Sequence, residues 1–98
     1  MEKLRSKATD KLFKAILSLE SVDECYDFFE DICTIKELRD LSLRLEVAAM
    51  LRSGMSYQEV TKKTGVSAAT ICRVNKCLTY GTGYQSVLKK SEEETKSK

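Results

Sequence analysis

Hydroxyl-bearing and cationic side chains are concentrated in one short segment, residues 56–78, which reads SYQEVTKKTGVSAATICRVNKCL. Residues 51–80 carry five Lys or Arg and one Asp or Glu, a net charge of +4, whereas residues 1–50 carry eight and eleven, a net charge of −3. The positive charge is therefore localised, although the whole chain is only +2. Cations gathered in this way suit the binding of phosphate oxygens in nucleic acids. By charge alone, an ordinary solvated face is an equally good interpretation.

Capping residues and a glycine divide this segment into two short helices. Ser56 can cap the first helix, and Glu59 follows three residues later to complete a capping box. Gly65 stands where that helix should end, because glycine adopts the left-handed turn conformation without a side-chain clash. Ser67 can cap the second helix. The apolar residues expected between the two helices are Val60, Val66, Ile71 and Val74.

A tight glycine turn between two amphipathic helices is typical of the helix-turn-helix. In that motif the second helix enters the major groove of DNA, and its N-terminal residues meet the base edges. Two caps, the turn glycine and the apolar spacing coincide here, and the exposed side is basic and small. We therefore interpret residues 56–78 as a DNA-binding helix-turn-helix, with a plain helical hairpin as the alternative.

Residue types that enzymes commonly use for catalysis are sparse in the chain. There is no histidine, the commonest general base, and no nucleophile–base pair, phosphate loop or metal-ligand cluster is evident. Six carboxylates around the second helix fall on its polar side, which favours solvent exposure over acid–base catalysis or cation binding. They are Glu20, Asp23, Glu24, Asp27, Glu30 and Asp31. We expect no enzymatic activity and no metal.

Four cysteines stand at Cys25, Cys33, Cys72 and Cys77, and none forms a CxxC pair. Without histidine they do not make a zinc site of the usual spacing. We find no signal peptide and no apolar run long enough to span a membrane. The sequence therefore predicts reduced thiols, mostly in the core, in a cytoplasmic protein.

N-terminal caps and helical periodicity also account for the chain before the hairpin, and no alternating apolar run predicts a strand. A first helical segment is expected over residues 1–20. Ser21 with Glu24 forms a capping box that starts the second helix. Thr34 with Glu37 forms another, which starts the third. The predicted class is all-α.

The third helix, expected to end near Arg52 before Gly54, is apolar on more than one face. Its apolar residues are Ile35, Leu38, Leu41, Leu43, Leu45, Val47, Ala48, Ala49, Met50 and Leu51. A helix that is apolar almost all round must be buried on several sides, which a chain of 98 residues does not easily provide by itself. We therefore expect a homodimer with this helix near its centre.

After the hairpin, Gly81 and Gly83 are expected to end its second helix. A short final helix can then start near Tyr84 and pack back on the core. Residues 89–98 lack apolar periodicity, so we expect a disordered tail there. The chain is thus predicted to form one domain over residues 1–88.

From Arg44 to Gly81, the sequence RLEVAAMLRSGMSYQEVTKKTGVSAATICRVNKCLTYG resembles the Trp-repressor-like family, most nearly its YerC/YecD branch. The preceding ECYDFFEDICT also resembles that branch, and the similarity covers most of residues 10–88. It implies an intertwined all-helical homodimer whose two recognition helices meet successive major grooves of a two-fold-related operator. Members of the family repress genes of amino-acid biosynthesis or uptake when a small effector is bound.

The resemblance also implies which residues contact DNA. The family's DNA-facing positions fall here on Ala68, Ala69 and Cys72, and small side chains suit contacts with thymine methyl groups. Such residues form few direct hydrogen bonds, so phosphate contacts, water and DNA shape should carry much of the specificity. The full set of candidate DNA-binding residues is Gln58, Lys62, Lys63, Ser67, Ala68, Ala69, Cys72, Arg73 and Lys76.

The tryptophan-binding members have an effector pocket between the central helix and the recognition helix, with an arginine from each beside the ligand. Thr34 and Arg44 keep the family's interval of ten residues between the capping threonine and the central arginine. The threonine and arginine of the recognition helix match Thr70 and Arg73. Cys77 replaces a hydroxyl of the family pocket and is a poorer partner for an α-amino group.

A carboxylate held between two arginines is physically sensible, so the resemblance implies a small-molecule corepressor. Tryptophan, histidine or another aromatic-like metabolite are all open, and no other cofactor is expected. If Arg73 contacts phosphate instead, no effector is required. We therefore expect a sequence-specific transcriptional regulator, a repressor gated by an amino-acid-like effector. The alternative is a helical protein-interaction module without specific DNA binding.

Overall fold

The computed structural model describes the backbone of residues 4–97 and the side chains of residues 4–93. Over this range every regular element is a helix, which confirms the all-α class. The helices are α1 (Lys7–Leu17), α2 (Val22–Ile32), α3 (Ile35–Arg52), α4 (Tyr57–Thr64), α5 (Ala68–Tyr80) and α6 (Gly83–Ser97). Within residues 4–97, no helix combines the length and apolar character that crossing a bilayer requires.

Side-chain caps start four of these helices where the sequence predicts them. Thr34 and Glu37 form a complete capping box, because the Glu37 N–H donates to Thr34 Oγ1 at 3.1 Å and the Thr34 N–H donates to Glu37 Oε1 at 2.9 Å. Hydrogen bonding of the Glu37 carboxyl to Thr34, first to its backbone N–H and then to its hydroxyl, lowers the pKa of that carboxyl below its ordinary value. The hydroxyls of Ser21, Ser56 and Ser67 accept backbone N–H groups as N-caps.

The first helix is shorter than the segment predicted over residues 1–20. It begins after Ser6, whose hydroxyl accepts the Thr9 N–H at 3.0 Å, and it ends at Leu17. Residues 1–3 of that prediction lie outside the described part of the chain. The Ser6 cap is a local signal that the periodicity of apolar residues did not reveal.

The chain divides into two compact units, with the boundary between Leu38 and Arg39. The first unit contains α1, α2 and the start of α3, and none of its described side chains is buried. The second unit contains the rest of α3 with α4, α5 and α6, and it holds the apolar core. The core residues are Val47, Ala48, Val60, Val66, Ile71, Val74, Leu78 and Leu88.

The core of the second unit is centred on the hairpin of α4 and α5. Val60 and Ile71 are 0% exposed, Val74 is 3% exposed and Val66 is 9% exposed, so the predicted contact between the two helices is confirmed. Val47 of α3, also 0% exposed, joins the same cluster. Each such aliphatic side chain contributes about 1.5–3 kcal/mol by leaving water, which makes this cluster the main support of the hairpin.

The last helix extends through Ser97, which differs from the disorder predicted over residues 89–98. Arg52, at the end of α3, forms an ion pair with Glu92 and donates its Nε to Gln85 Oε1 at 2.9 Å. The polar side of α6 therefore has partners on another helix. The prediction relied on apolar periodicity, which is insensitive to polar contacts of this kind.

The cysteines are all free thiols, but the expectation that they lie mostly in the core is wrong. Cys25 and Cys33 are partly exposed, and Cys72 and Cys77 are exposed. The physical reason is helical phase. In α5 the buried stripe runs along Ile71, Val74 and Leu78, and both cysteines of that helix fall outside it.

The two glycines after α5 have different roles. Gly81 ends the helix as predicted, and a Cβ atom added there would lie 2.7 Å from the carbonyl oxygen of Cys77. Gly83, in contrast, begins α6 rather than ending α5, and an added Cβ atom would meet nothing within 4 Å. The close backbone approach therefore requires glycine only at the first position.

This pair offers a matched test of backbone packing. We expect Gly81→Ala to lower the free energy of unfolding by about 1–3 kcal/mol, because the backbone must shift to relieve the clash. We expect Gly83→Ala to raise it by about 0.4–1 kcal/mol, because alanine fits and restricts the unfolded chain. Urea denaturation of both variants at one protein concentration measures the difference. Equal shifts of the two midpoints would contradict the assigned geometry.

Candidate nucleic-acid interface and the adjoining cleft

The turn between α4 and α5 is held by local hydrogen bonds and by glycine. Gly65 has a φ of +75°, the left-handed conformation predicted for it, and its N–H donates to the Thr61 carbonyl at 2.7 Å. The Thr64 hydroxyl donates to the Val60 carbonyl at 2.7 Å and accepts the Val66 N–H at 3.2 Å. These bonds and the burial of Val66 fix the direction in which α5 leaves the turn.

Opposite sides of α5 have opposite character. The side that carries Ile71, Val74 and Leu78 packs into the core. The other side is exposed, and its residues recur at intervals of three and four, so they share one helical face. They are Ala69, Cys72, Arg73 and Lys76. The predicted DNA-contacting residues of this helix are thus brought together on a single accessible surface, with exposed Ala68 at its start.

Tyr80 continues this exposed face at the end of α5 and was missed by sequence reasoning. It stands four residues after Lys76 and is 87% exposed. A tyrosine hydroxyl is among the groups that bond phosphate and sugar oxygens in protein–DNA interfaces. Tyr80 stands seven residues after Arg73 and four after Lys76, and this helical spacing could have placed it on the same face from the sequence alone.

Basic residues from both hairpin helices complete the surface. Lys62 and Lys63 are exposed in the last turn of α4. Cations at this position also stabilise the helix, because its C-terminal end is the negative end of the helix dipole. Neither these two lysines nor Arg73 and Lys76 of α5 form an ion pair within the described residues. Gln58, in the first turn of α4, is exposed as well. Four uncompensated cations on one hairpin make this the region best suited to phosphate groups.

Ser67 is less available to phosphate than the sequence indicates. As the N-cap of α5, its Oγ accepts the Thr70 N–H at 3.3 Å and lies 3.2 Å from Thr70 Oγ1. The residue is exposed, but its hydroxyl already serves the helix terminus.

A cleft of about 220 Å³ lies between α3 and the beginning of α5, within the second unit. Arg44 and Thr70, two of the residues implied for effector binding, line it. The complete lining is Asp40, Leu43, Arg44, Val47, Val66, Ser67 and Thr70. An anionic and a cationic side chain therefore share one small cavity with two hydroxyls and three aliphatic side chains.

The other implied effector residues lie elsewhere. Arg73 and Cys77 are exposed on α5 and do not line this cleft. Thr34 is the N-cap of α3 and belongs to the first unit. Asp40 was not singled out from the sequence, although it stands four residues before Arg44 and thus on the same side of α3.

No group of three or more potential metal ligands occurs among the described residues, and the side chains that meet in the cleft include neither cysteine nor histidine. The cleft is therefore suited to an organic ligand with polar groups rather than to a transition metal.

Comparison with known proteins identifies the family. Residues 7–92 match the family model of the Trp repressor protein. The chain is 50% identical to the uncharacterized protein YerC of Bacillus subtilis (strain 168), over 100% of this chain and 98% of that protein. It is also similar to the crystal structure of a TrpR-like protein from Eubacterium eligens ATCC 27750. That protein is 52% identical, with a TM-score of 0.90 over 94% of this chain and 96% of the other.

A crystal structure of a Staphylococcus aureus protein proposed to be a Trp repressor is 46% identical, with a TM-score of 0.89 over 93% of this chain and 92% of the other. The family model, the sequence relative and both structures therefore agree over nearly the whole chain. The resemblance found in the sequence is confirmed, and the chain belongs to the Trp repressor family.

Proposed function

We propose that this chain is a sequence-specific transcriptional regulator that binds DNA through the hairpin of α4 and α5. The observation that carries the proposal is the exposed face of α5, opposite its buried stripe, together with four cations that have no ion-pair partner among the described residues. Membership of a family of DNA-binding regulators supports it independently.

In the proposed complex, α5 lies in the major groove and its first turn approaches the base edges. Ala68 and Ala69 allow close approach and contact with thymine methyl groups, whereas Arg73 and Lys76 bond phosphates. Lys62 and Lys63 reach the backbone from α4. Few direct hydrogen bonds to bases are available from these side chains, so DNA shape and bridging water supply much of the specificity.

The proposed regulator acts as a homodimer. The first unit has no buried side chain among its described residues, although many of them are apolar. Leu17 is 83% exposed, Val22 is 71% exposed and Ile35 is 73% exposed. Leu41 and Leu45 of α3 are also exposed, at 47% and 42%. Apolar surface of this extent marks an interaction surface, and a second copy presenting the same surface can cover it.

The homodimer predicts a defined mass in solution. Sedimentation equilibrium at micromolar concentration should return two chains of 11.1 kDa each. We expect the double variant Ile35→Asp and Leu41→Asp to sediment as a monomer or to unfold, because two charges would be placed in the proposed interface. A parent protein that sediments at the mass of one chain would remove the dimer from the proposal.

The proposed regulator is a repressor of amino-acid biosynthesis or uptake genes, gated by a small effector such as tryptophan, histidine or a similar metabolite. The cleft beside the first turn of α5 supports this part, because a ligand there contacts both α3 and the start of the DNA-facing helix. Such a ligand raises DNA affinity only as far as it prefers the DNA-competent arrangement of α5.

Selection of bound fragments from genomic DNA by the purified protein, with and without each amino acid, tests the function. A palindromic site enriched with one amino acid identifies operator and effector together. A site enriched regardless of additive keeps the DNA-binding function and removes the gating. No enriched site under any condition, with binding that is lost at moderate salt, favours a helical protein-interaction module.

A further inference from the structure

A chain of side-chain bonds joins three helices of the second unit where they end or begin. Arg52, the last residue of α3, donates its Nε to Gln85 Oε1 at 2.9 Å. Gln85, in the first turn of α6, donates its Nε2 to the Leu78 carbonyl oxygen of α5 at 3.1 Å. Arg52 is also held by an ion pair with Glu92, further along α6. We call the Arg52–Gln85–Leu78 connection the three-helix bridge.

The middle position of the three-helix bridge requires a particular side chain. An arginine only donates hydrogen bonds and a backbone carbonyl only accepts them, so the residue between them must accept at one atom and donate at another. The amide of Gln85 does both. A carboxylate has no proton to donate to the carbonyl, and an ammonium group has no lone pair for the arginine. Gln85 is therefore suited to linking α3 with α5.

The three-helix bridge acts on the end of α5 that lies away from the turn. The carbonyl groups in the last turn of a helix lack donors within that helix, and Gln85 supplies one from α6. Lys76 and Tyr80 stand two residues before and two residues after Leu78, and both are exposed on the opposite, proposed DNA-facing side. The start of α5 is held separately, by its Ser67 cap. The two ends of α5 thus have independent supports.

The length of α5 makes the support at its end important. Its 13 residues extend about 18 Å at about 1.5 Å per residue. A pivot of about 10° at its start would move its last turn by about 3 Å, the whole length of a hydrogen bond. Burial of Leu78 and Leu88 holds α5 and α6 on the core, but hydrophobic burial has no direction. Hydrogen bonds are directional, so the three-helix bridge restricts the last turn more closely.

We propose that Gln85 is a positioning residue for DNA binding, which holds the last turn of α5 so that Lys76 and Tyr80 meet the DNA backbone. Arg52 in turn holds Gln85 in place. This inference deepens the proposed function and rests on it, since it adds a residue outside the hairpin that sets affinity without contacting DNA.

Amide hydrogen exchange of the full chain without DNA tests the support itself. Gln85→Met removes both bonds of the side chain and keeps its length and helix propensity. We expect the Gly81 N–H, which donates to the Cys77 carbonyl at 2.8 Å in the last turn of α5, to exchange about 2- to 12-fold faster. Arg52→Met should also raise this rate. The double variant should exchange no faster than Gln85→Met alone, because Arg52 acts through Gln85.

Affinity for a duplex selected from genomic DNA tests the positioning role. We expect Gln85→Met to weaken binding about 5- to 150-fold, because a bond worth about 2- to 12-fold is lost in each protomer of the proposed homodimer. In a background that carries Lys76→Ala and Tyr80→Phe, the same substitution should weaken binding less than 3-fold, since the groups that it positions are absent. All four proteins are compared at one low salt concentration. Equal losses in both backgrounds would show a general effect on stability and refute the positioning role.

Ser86→Met is the matched control, because it places the same side chain at the next, exposed position of α6. It should match the parent in exchange and in affinity, and circular dichroism verifies that each variant is folded. Unchanged exchange in Gln85→Met refutes the three-helix bridge as a support of α5. Faster exchange with unchanged DNA affinity refutes the positioning role and leaves the proposed function intact. A parent that selects no duplex refutes the proposed function and the positioning role together, whereas the exchange rates still measure the support.

Discussion

We expect Arg73→Ala and Lys76→Ala each to weaken binding of the chain to DNA about 100- to 10,000-fold. Each substitution removes one hydrogen bond from a charged donor in both protomers of the proposed homodimer, and each such bond is worth about 10- to 100-fold. Both side chains lie on the exposed face of α5, and neither has an ion-pair partner among the described residues. If they contact phosphates, each replacement removes one contact from each protomer of the proposed homodimer. The slope of log K against log salt should then become less negative by about 1.8, twice the value of about 0.9 for one contact. Fluorescence anisotropy with a labelled duplex at several salt concentrations measures both quantities.

Lys89→Ala is the matched control for these variants. It removes an exposed cation of α6, outside the hairpin, and should leave affinity and salt slope close to those of the parent. The measurements should be made without added amino acid, so that effector binding does not change the measured DNA affinity. If both α5 variants bind duplex as tightly as the parent, the exposed face of α5 is not the DNA interface. If Lys89→Ala weakens binding equally, the effect reflects total charge rather than position.

Ile71→Ala should cause the largest loss of stability of any single substitution proposed for this chain. Ile71 is 0% exposed and lies in the same core cluster as Val47 and Val60. Truncation removes buried methyl and methylene groups and leaves a cavity, with an expected cost of about 2–5 kcal/mol. That is a large fraction of the about 5–15 kcal/mol by which domains are usually stable.

Urea denaturation of parent and variant at the same protein concentration measures this cost, because the midpoint of a dimer depends on concentration. Thr79→Ala, at an exposed position of α5, should stay within about 0.5 kcal/mol of the parent. A loss at Ile71 no larger than that at Thr79 would contradict the burial of this face. A partly unfolded Ile71→Ala protein should also lose DNA binding, because α5 would no longer be held against the core.

Local features of the structure followed from the sequence because their causes lie within a few residues. The capping bonds at Thr34 and Ser67 span three residues each, and the left-handed turn depends on Gly65 alone. The buried stripe of α5 is a matter of helical period. Such features need no knowledge of what lies across the fold, and each was found where it was predicted.

The position of α6 depended on contacts that no local pattern encodes. Arg52 meets Gln85 and Glu92, which are more than thirty residues away in the chain. A polar run without apolar period is typical of a disordered tail, unless a partner of this kind is available. Only the folded arrangement of α3 and α6 supplied that partner.

The sequence and its family resemblance by themselves determined the helical class, the hairpin and the exposed face of α5 that carries the predicted DNA-contacting residues. The tertiary structure decided which residues share the cleft. It separated Arg73, which lies on the exposed face, from Arg44, and it brought Asp40 together with Thr70. Spacing along one helix shows which residues share a face. Which face meets a neighbouring helix is set by packing between distant segments. This is why the cleft that brings Asp40 and Arg44 of α3 together with Thr70 of α5 became visible only in three dimensions.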